Sequence, residues 1–302
     1  MDKKKNIVIT GAQGQDGIIL SKLLIKKKFN VIGIVKRIGS NKISKVKYYK
    51  VNLLNFKNLS KFLNKYRPHS LIHLGTENPN YLELKKNKDF YKRNLNATKN
   101  LIDYFSHNKS KKKLILIGSS QMYGMSKNKV SLRSNFNPAN SYAKFRVEAY
   151  NYMLKIKKKY KSNMVTAILF NHDSMFRKKK FLIPRLVKLI KSKNTLKIDS
   201  IFKENISGDF SHADDICNGL YKLMISKKNP NKLIFSSNKR IFINDIINFL
   251  LNLNRIDKKF ILKKPKSSFT PIGDNKYTKK ILNWKIKKNI FFAAKELNKF
   301  YS

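Results

Sequence analysis

Five short, almost unbroken apolar runs recur through the first 170 residues: NIVIT at 6–10, NVIGIV at 30–35, SLIHLG at 70–75, KLILIG at 113–118 and MVTAILF at 164–170. Between them lie longer stretches with apolar residues near helical spacing: DGIILSKLLIKK, FKNLSKFLNKY, DFYKRNLNATKNLIDYFS and NSYAKFRVEAYNYMLKIKKKY. A strand that is apolar on both sides must be covered on both faces, and a helix after each strand supplies that cover. The pattern predicts an α/β fold, a doubly wound parallel sheet over residues 1–170, with a returning segment near 200–225. Residues 171–302 are less regular and helix-rich. They are expected to form mainly a smaller, substrate-binding C-terminal domain against the carboxyl edge of the sheet.

The first apolar run leads directly into TGAQGQDG, where Gly11, Gly14 and Gly17 account for three of only 11 glycines. Strand, glycine turn and a helix starting near Gln15 make a place for a dinucleotide diphosphate on a helix N-terminus, as in a Rossmann fold. Gly11 permits the tight turn, Gly14 lets backbone approach phosphate, and Gly17 allows helix and strand to pack closely. Gln13, Gln15 and Asp16 belong to the same expected cofactor cradle. At the end of the second run an acid would bond a free ribose 2′-hydroxyl. Here IVKRIGS offers Lys36, Arg37 and Ser40 instead, a set that attracts a 2′-phosphate. NADP(H) is the expected cofactor.

Composition narrows the rest. A formal charge of +50 over 302 residues suggests a nucleic-acid binder, but the lysines are spread through the whole chain. Nucleic-acid sites concentrate charge on one stripe with interleaved aromatics. The expectation is therefore solvated surface lysine with a pull on anionic substrates, and no nucleic-acid partner. No apolar window approaches the ~18 residues of a membrane span. The five-residue apolar stretch in MDKKKNIVIT is shorter than the ~7–15 of a signal-peptide core. The single Cys217 excludes an internal disulfide and fits a reducing cytoplasm. The scattered histidines offer no metal cluster, so no metal is expected.

The GxxGxxG spacing resembles the extended short-chain dehydrogenase/reductase superfamily. In that superfamily a Ser or Thr hydroxyl and a Tyr flank the sugar C4 carbon, and a Lys four residues after the Tyr supports it. Here KLILIGSSQMYG brings Ser119, Ser120 and Gln121, and NSYAKFRVEAY brings Tyr142. A free phenol ionises near pH 10, so a tyrosine base needs positive charge beside it. Position i+4 holds Arg146, on the same helical face. Lys144 at i+2 points about 200° around the helix.

TGAQGQDG, GIVKR, GSSQMYG, ILFNHDS, DFSHADD and IGDNKYTKKILNW together resemble the GDP-mannose 4,6-dehydratase family, in that family's order, from residue 6 to about 285. The resemblance implies a lyase with an internal NADP redox cycle acting on a GDP-sugar, and a homo-oligomer. It places Asn52, Leu53, Leu74 and His172 on the cofactor, and Asn171, Arg185 and Lys264 on the substrate. Asn52 replaces the family's Asp and can still accept from the adenine amino group. Beyond Asn52 and Arg146, the sequence departs from the family at three further points. Gln121 stands where the family has the glutamate that serves as C5 base and C6 acid. Gly208 replaces an arginine, and Lys264, Pro265 and Ser267 replace R-P-x-E. Glu77 is the candidate to stand in for the missing glutamate. Two alternatives stay open: a reductase or epimerase of the same superfamily, which does not need that glutamate, and a catalytically impaired NADP-binding homologue.

Overall fold

A computed structural model describes residues 4–78, 89–106, 112–257 and 268–301. Seven strands form one sheet: β1 (Asn6–Thr10), β2 (Asn30–Val35), β3 (Val46–Lys50), β4 (Ser70–His73), β5 (Lys113–Ser119), β6 (Met164–Leu169) and β7 (Lys232–Phe235). Every pairing is parallel, and the order is β7-β6-β5-β4-β1-β2-β3. This is the doubly wound fold expected from the apolar runs. Two strands were not marked by such runs. β3, VKYYK, lies at the sheet edge and carries lysines, as edge strands do to avoid pairing with other chains. β7 is only four residues long and enters the opposite edge.

The order reverses at β1, which pairs with β2 on one side and β4 on the other. In register, Thr10 lies beside Ile34 and His73, so the three carboxyl ends are level and open one crevice between them.

Helices cover both faces. On one side α1 (Gln15–Lys26) packs with the later helix Ala213–Ile225 over Ile7, Ile9, Leu20, Leu220 and Trp284. Cys217 sits in this layer, its thiol pushed up by burial, as suits a packing residue. On the other side α2 (Phe56–Tyr66), α3 (Phe90–Ser106) and α4 (Ser141–Tyr160) enclose Val8, Ile32, Leu71, Leu101, Leu114 and Met153. A separate core of Ile183, Leu186, Ile246, Leu250, Ala293 and Leu297 joins the helices Leu182–Lys191, Ile243–Leu253 and Ile290–Phe300.

The later motifs are largely framework. His212 caps the helix Ala213–Ile225 by accepting from the Asp214 amide, and its Nε2 meets Glu296 at 3.0 Å. Asp215 accepts from the Lys287 and Lys288 amides, and its carbonyl receives the Trp284 indole N–H at 2.8 Å. The buried Asp209 carboxylate accepts from Ser237, Asn238 and Gly273 and so ties its own segment to two others. At Gly208 an added Cβ would lie 2.0 Å from Thr270 Oγ1. Thr270 therefore fills the space that a side chain at position 208 would need.

Candidate active site

The turn after β1 is closed by backbone contact. Gly11 has φ of +71°, and a Cβ there would lie 2.8 Å from Gly75 Cα; a Cβ on Gly17 would lie 2.5 Å from the Gly11 carbonyl oxygen. Gly14, at the N-cap of α1, has no side chain with which to bond the first-turn amides. Those donors face the crevice with the positive end of the helix dipole, the arrangement that holds a diphosphate.

A cleft of about 1120 Å³ opens there. Of the residues expected on the cofactor, Gly11, Gly14, Gln15, Asp16, Gly17, Lys36, Asn52, Leu53 and Leu74 line it. Arg177, Lys178 and Lys180 add positive charge on its far wall. Gln13 instead fixes the loop after β2: its amide exchanges two 3.0 Å hydrogen bonds with Gly39 and donates to the Asn41 carbonyl. Arg37 is exposed beside that loop.

Two motifs distant in sequence meet at the start of α1. His172 Nε2 lies 3.1 Å from both carboxylate oxygens of Asp16, 156 residues away. Its Nδ1 lies 2.7 Å from the Phe170 carbonyl, an acceptor, so both ring nitrogens face acceptors and the ring is held as imidazolium. Gln15 completes the clasp, donating to the His172 carbonyl and accepting from Ser174 Oγ. Burial alone would raise Asp16, but His172, Gln15 and Arg177 together bring it down to about 2. Burial would lower His172, yet the Asp16 charge and hydrogen bond raise it.

At the end of β5 the second set assembles. Ser119 Oγ accepts from the Gln121 amide and caps the short 3₁₀ turn Ser120–Tyr123. Ser120 is buried, while the Gln121 side chain is exposed. Tyr142 and Arg146 share the buried face of α4 and Lys144 lies exposed, as one helical turn dictates. Arg146 Nη2 donates to the Tyr142 oxygen at 3.1 Å and to Thr76 Oγ1 at 2.7 Å, and Nη1 donates to the Ile117 carbonyl. Its planar fork thus fixes β4, β5 and the tyrosine together.

Beneath this pair runs a buried polar chain. The Gly75 amide donates to Thr10 Oγ1, which donates to His73 Nδ1; His73 Nε2 donates to Thr98 Oγ1, which donates to the Asn94 carbonyl. Burial, then Arg146, depresses His73 to about 3, so the ring stays neutral.

Asn140, Thr76, Asn94 and Arg93 were not expected from sequence. Asn140 was findable only as a helix cap, standing just before the apolar helical pattern. Its Oδ1 accepts from the Ala143 amide at 2.9 Å, and its Nδ2 donates to Gln121 Oε1 at 3.0 Å. Glu77, the candidate substitute acid, accepts from Arg93 at 2.8 and 3.3 Å and meets Lys36 at 3.6 Å. The Arg93 hydrogen bond, outweighing burial, holds it below the usual carboxylate range, which suits it poorly to storing a proton. Asn171 opens a short strand paired with Phe210–His212, and Arg185 lies exposed on the helix Leu182–Lys191. Lys264, Pro265 and Ser267 lie outside the described residues.

The profile of the family described as GDP-mannose 4,6 dehydratase matches residues 8–291. The chain belongs to the GDP-mannose 4,6-dehydratase family. Within that family it is 22% identical to GDP-mannose 4,6 dehydratase 1 of Arabidopsis thaliana, over 94% of this chain and 86% of that one. It is 23% identical to GDP-mannose 4,6-dehydratase of Yersinia enterocolitica, over 80% and 70%. Among solved structures, a UDP-glucose 4-epimerase from Thermotoga maritima superposes with a TM-score of 0.82 at 14% identity, covering 98% of both chains. A dTDP-glucose 4,6-dehydratase from Bacillus anthracis in complex with NAD gives 0.81 at 14% identity, covering 98% of this chain and 96% of that one. The family thus shares its fold with nucleotide-sugar dehydratases and epimerases, and this chain is an enzyme of that group. No helix among the described residues is long and apolar enough to cross a membrane.

Proposed function

We propose that this chain is a nucleotide-sugar 4,6-dehydratase that acts on GDP-mannose with NADP as a retained cofactor. The observation that carries the reading is the Tyr142–Arg146 pair, with the guanidinium donating to the phenolic oxygen at 3.1 Å at the sheet edge beside the glycine cradle. The glycine positions and the open start of α1 fit a dinucleotide diphosphate, and Lys36 and Arg37 favour one with a 2′-phosphate. When bound, the nicotinamide supplies a reversible hydride acceptor.

The chain's own residues handle protons. Tyr142 takes the proton from the C4 hydroxyl as C4 is oxidised, and the negative charge that develops on its oxygen lies against Arg146. Because Arg146 is anchored by Ile117 and Thr76, this charge is met without rearrangement. Ser120, beside Tyr142's edge of the sheet, is assigned to the same C4 oxygen. A ketone at C4 acidifies H5, so loss of water from C6 needs a base at C5 and an acid at C6.

That second half favours another reading. Asn140 cannot turn its oxygen to Gln121, because that oxygen already caps α4. It therefore offers N–H to Gln121 Oε1, which leaves the amide N–H groups of the exposed Gln121 side chain as its donors. Such a group donates to a sugar oxygen and does not remove a proton. On that observation the same site is an NADPH-dependent reductase of a 4-keto nucleotide sugar.

Purified protein with GDP-mannose and NADP⁺ should yield a 4-keto-6-deoxy sugar nucleotide. Turnover only with a 4-keto substrate and NADPH would give the reductase. No conversion in either mixture would remove both.

A further inference from the structure

Glu77 takes no part in the proton transfers above, yet its carboxylate is firmly fixed in the cleft wall. The buried Asn94 amide grips its backbone from both sides, accepting from the Glu77 N–H at 2.8 Å and donating to the Glu77 carbonyl at 2.9 Å. Arg93 holds its side chain through two further bonds. Lys36 reaches from the end of β2 to within 3.6 Å of Glu77 Oε1, with its side chain 83% exposed.

β2 and β4 flank β1, so this ion pair spans the carboxyl end of β1. Lys36 stands at the end of β2, where the ribose of a bound dinucleotide would lie, so the carboxylate that holds it stands near the 2′ position. The acid that β2 lacks is thus supplied by the loop after β4. A fixed carboxylate there has two effects. It draws Lys36 away from an incoming 2′-phosphate, and it repels that phosphate directly. A free 2′-hydroxyl is not repelled and can donate to the carboxylate.

We propose that Glu77 sets cofactor preference at this cleft, restraining Lys36 and opposing a 2′-phosphate, so that the chain discriminates only weakly between NADPH and NADH. The proposal rests on reading the cleft as the dinucleotide site, and it moderates the strong NADP preference that Lys36 and Arg37 imply by themselves.

Calorimetric titration of the whole chain with NADPH and with NADH tests it in three variants. Glu77→Gln keeps the size of the side chain and removes its charge, and should shift the affinity ratio toward NADPH about tenfold, the scale of one charge-assisted contact. Adding Lys36→Gln should remove the part of that gain that comes from freeing the lysine and leave the part that comes from lifting direct repulsion. Lys36→Gln alone, at an exposed position with no folding role, should change the ratio by less than about threefold, because the lysine is already restrained. A ratio unmoved by Glu77→Gln overturns the proposal, as does a gain that survives loss of Lys36 undiminished. So does a tenfold loss of NADPH preference in Lys36→Gln alone. If the unmodified chain binds neither cofactor, the dinucleotide reading itself fails and the proposal falls with it.

Discussion

Replacing Asp16 by Asn removes one charge from the clasp between α1 and the strand that carries His172, with little change in shape. The two side chains are 18% and 9% exposed, so water does little to screen the pair. In the native chain the imidazolium donates to both Asp16 oxygens and to the Phe170 carbonyl. After the change a buried imidazolium would have no counter-charge. His172 must then give up its proton to remain in place. Lowering Asp16 from 3.8 to about 2 corresponds to about 2 kcal/mol of folding stability. Removing one partner of a buried pair costs about 3–5 kcal/mol when nothing relaxes. Loss of the imidazolium proton supplies that relaxation, so the expected cost is about 2 kcal/mol. Urea unfolding of cofactor-free protein, native against variant, measures it without interference from ligand binding.

The pH dependence gives the stricter test. Asp16 is depressed in the fold, so its contribution is present above about pH 4 and lost as pH falls through about 2. His172 is raised, so its contribution is present below its unfolded value of 6.5 and lost as pH rises through the folded value. The stability gap should be widest between about pH 4 and 6.5 and narrow on both sides. A gap that is flat across that range and beyond it, or smaller than about 0.5 kcal/mol throughout, would refute the clasp.

Three further outcomes follow from the site. Tyr142→Phe should cut hydride exchange, followed by absorbance of the reduced cofactor, by at least about 10²-fold with an unchanged melting curve; near-normal exchange would remove Tyr142 from the chemistry. Gln121→Glu places a carboxylate beside the Asn140 donor and should raise 4-keto-6-deoxy product formation about 10²-fold if the chain is a dehydratase, whereas no gain alongside brisk NADPH-dependent ketone reduction would establish the reductase. Gly208→Ala should cost about 1–3 kcal/mol through its 2.0 Å clash with Thr270 Oγ1, and Thr270→Ala should restore most of that in denaturant unfolding. Equal stability of all the forms would show that the space at 208 is open.

The parts of the fold that could be read in the chain are those fixed by neighbours in sequence. β1 and β2 begin and end where their apolar runs do, and the three glycines stand where backbone contact at Gly11 and Gly17 excludes any Cβ. β3 was hidden because an edge strand wears lysines, which a chain carrying 67 basic residues shows everywhere. Contacts at the candidate site were legible wherever they depend on spacing along one helix, as between Tyr142 and Arg146. It was not legible where side chains meet from distant segments. Nothing near Thr76 announces Arg146, 70 residues on, and nothing near Lys36 announces Glu77. Asn140 shows both cases at once: its capping role is local, while its hold on Gln121 depends on how β5 and α4 pack.

This division separates membership from chemistry. The residues that carry the family likeness most specifically, Asp16 with His172 and His212 with Asp215 and Trp284, bond chiefly to one another and to backbone. The first pair fixes the start of α1 at the cleft, and the second set fixes the helix Ala213–Ile225 against the segment 284–288, whatever reaction occurs. The proposed reaction would depend on fewer positions, and at these the chain departs from the family it resembles: Arg146 for lysine, Gln121 for glutamate, Gly208 for arginine. Arg146 keeps a positive charge beside Tyr142, as the proposed exchange at C4 requires. Gly208 is matched by Thr270, so its loss is packed over and leaves no hole. Gln121 is not compensated in this way, since Glu77, the candidate carboxylate, is bound to Arg93 and Lys36. C4 oxidation and reduction are therefore the steps that both readings share, and removal of H5 is the step that a single amide for carboxylate exchange decides.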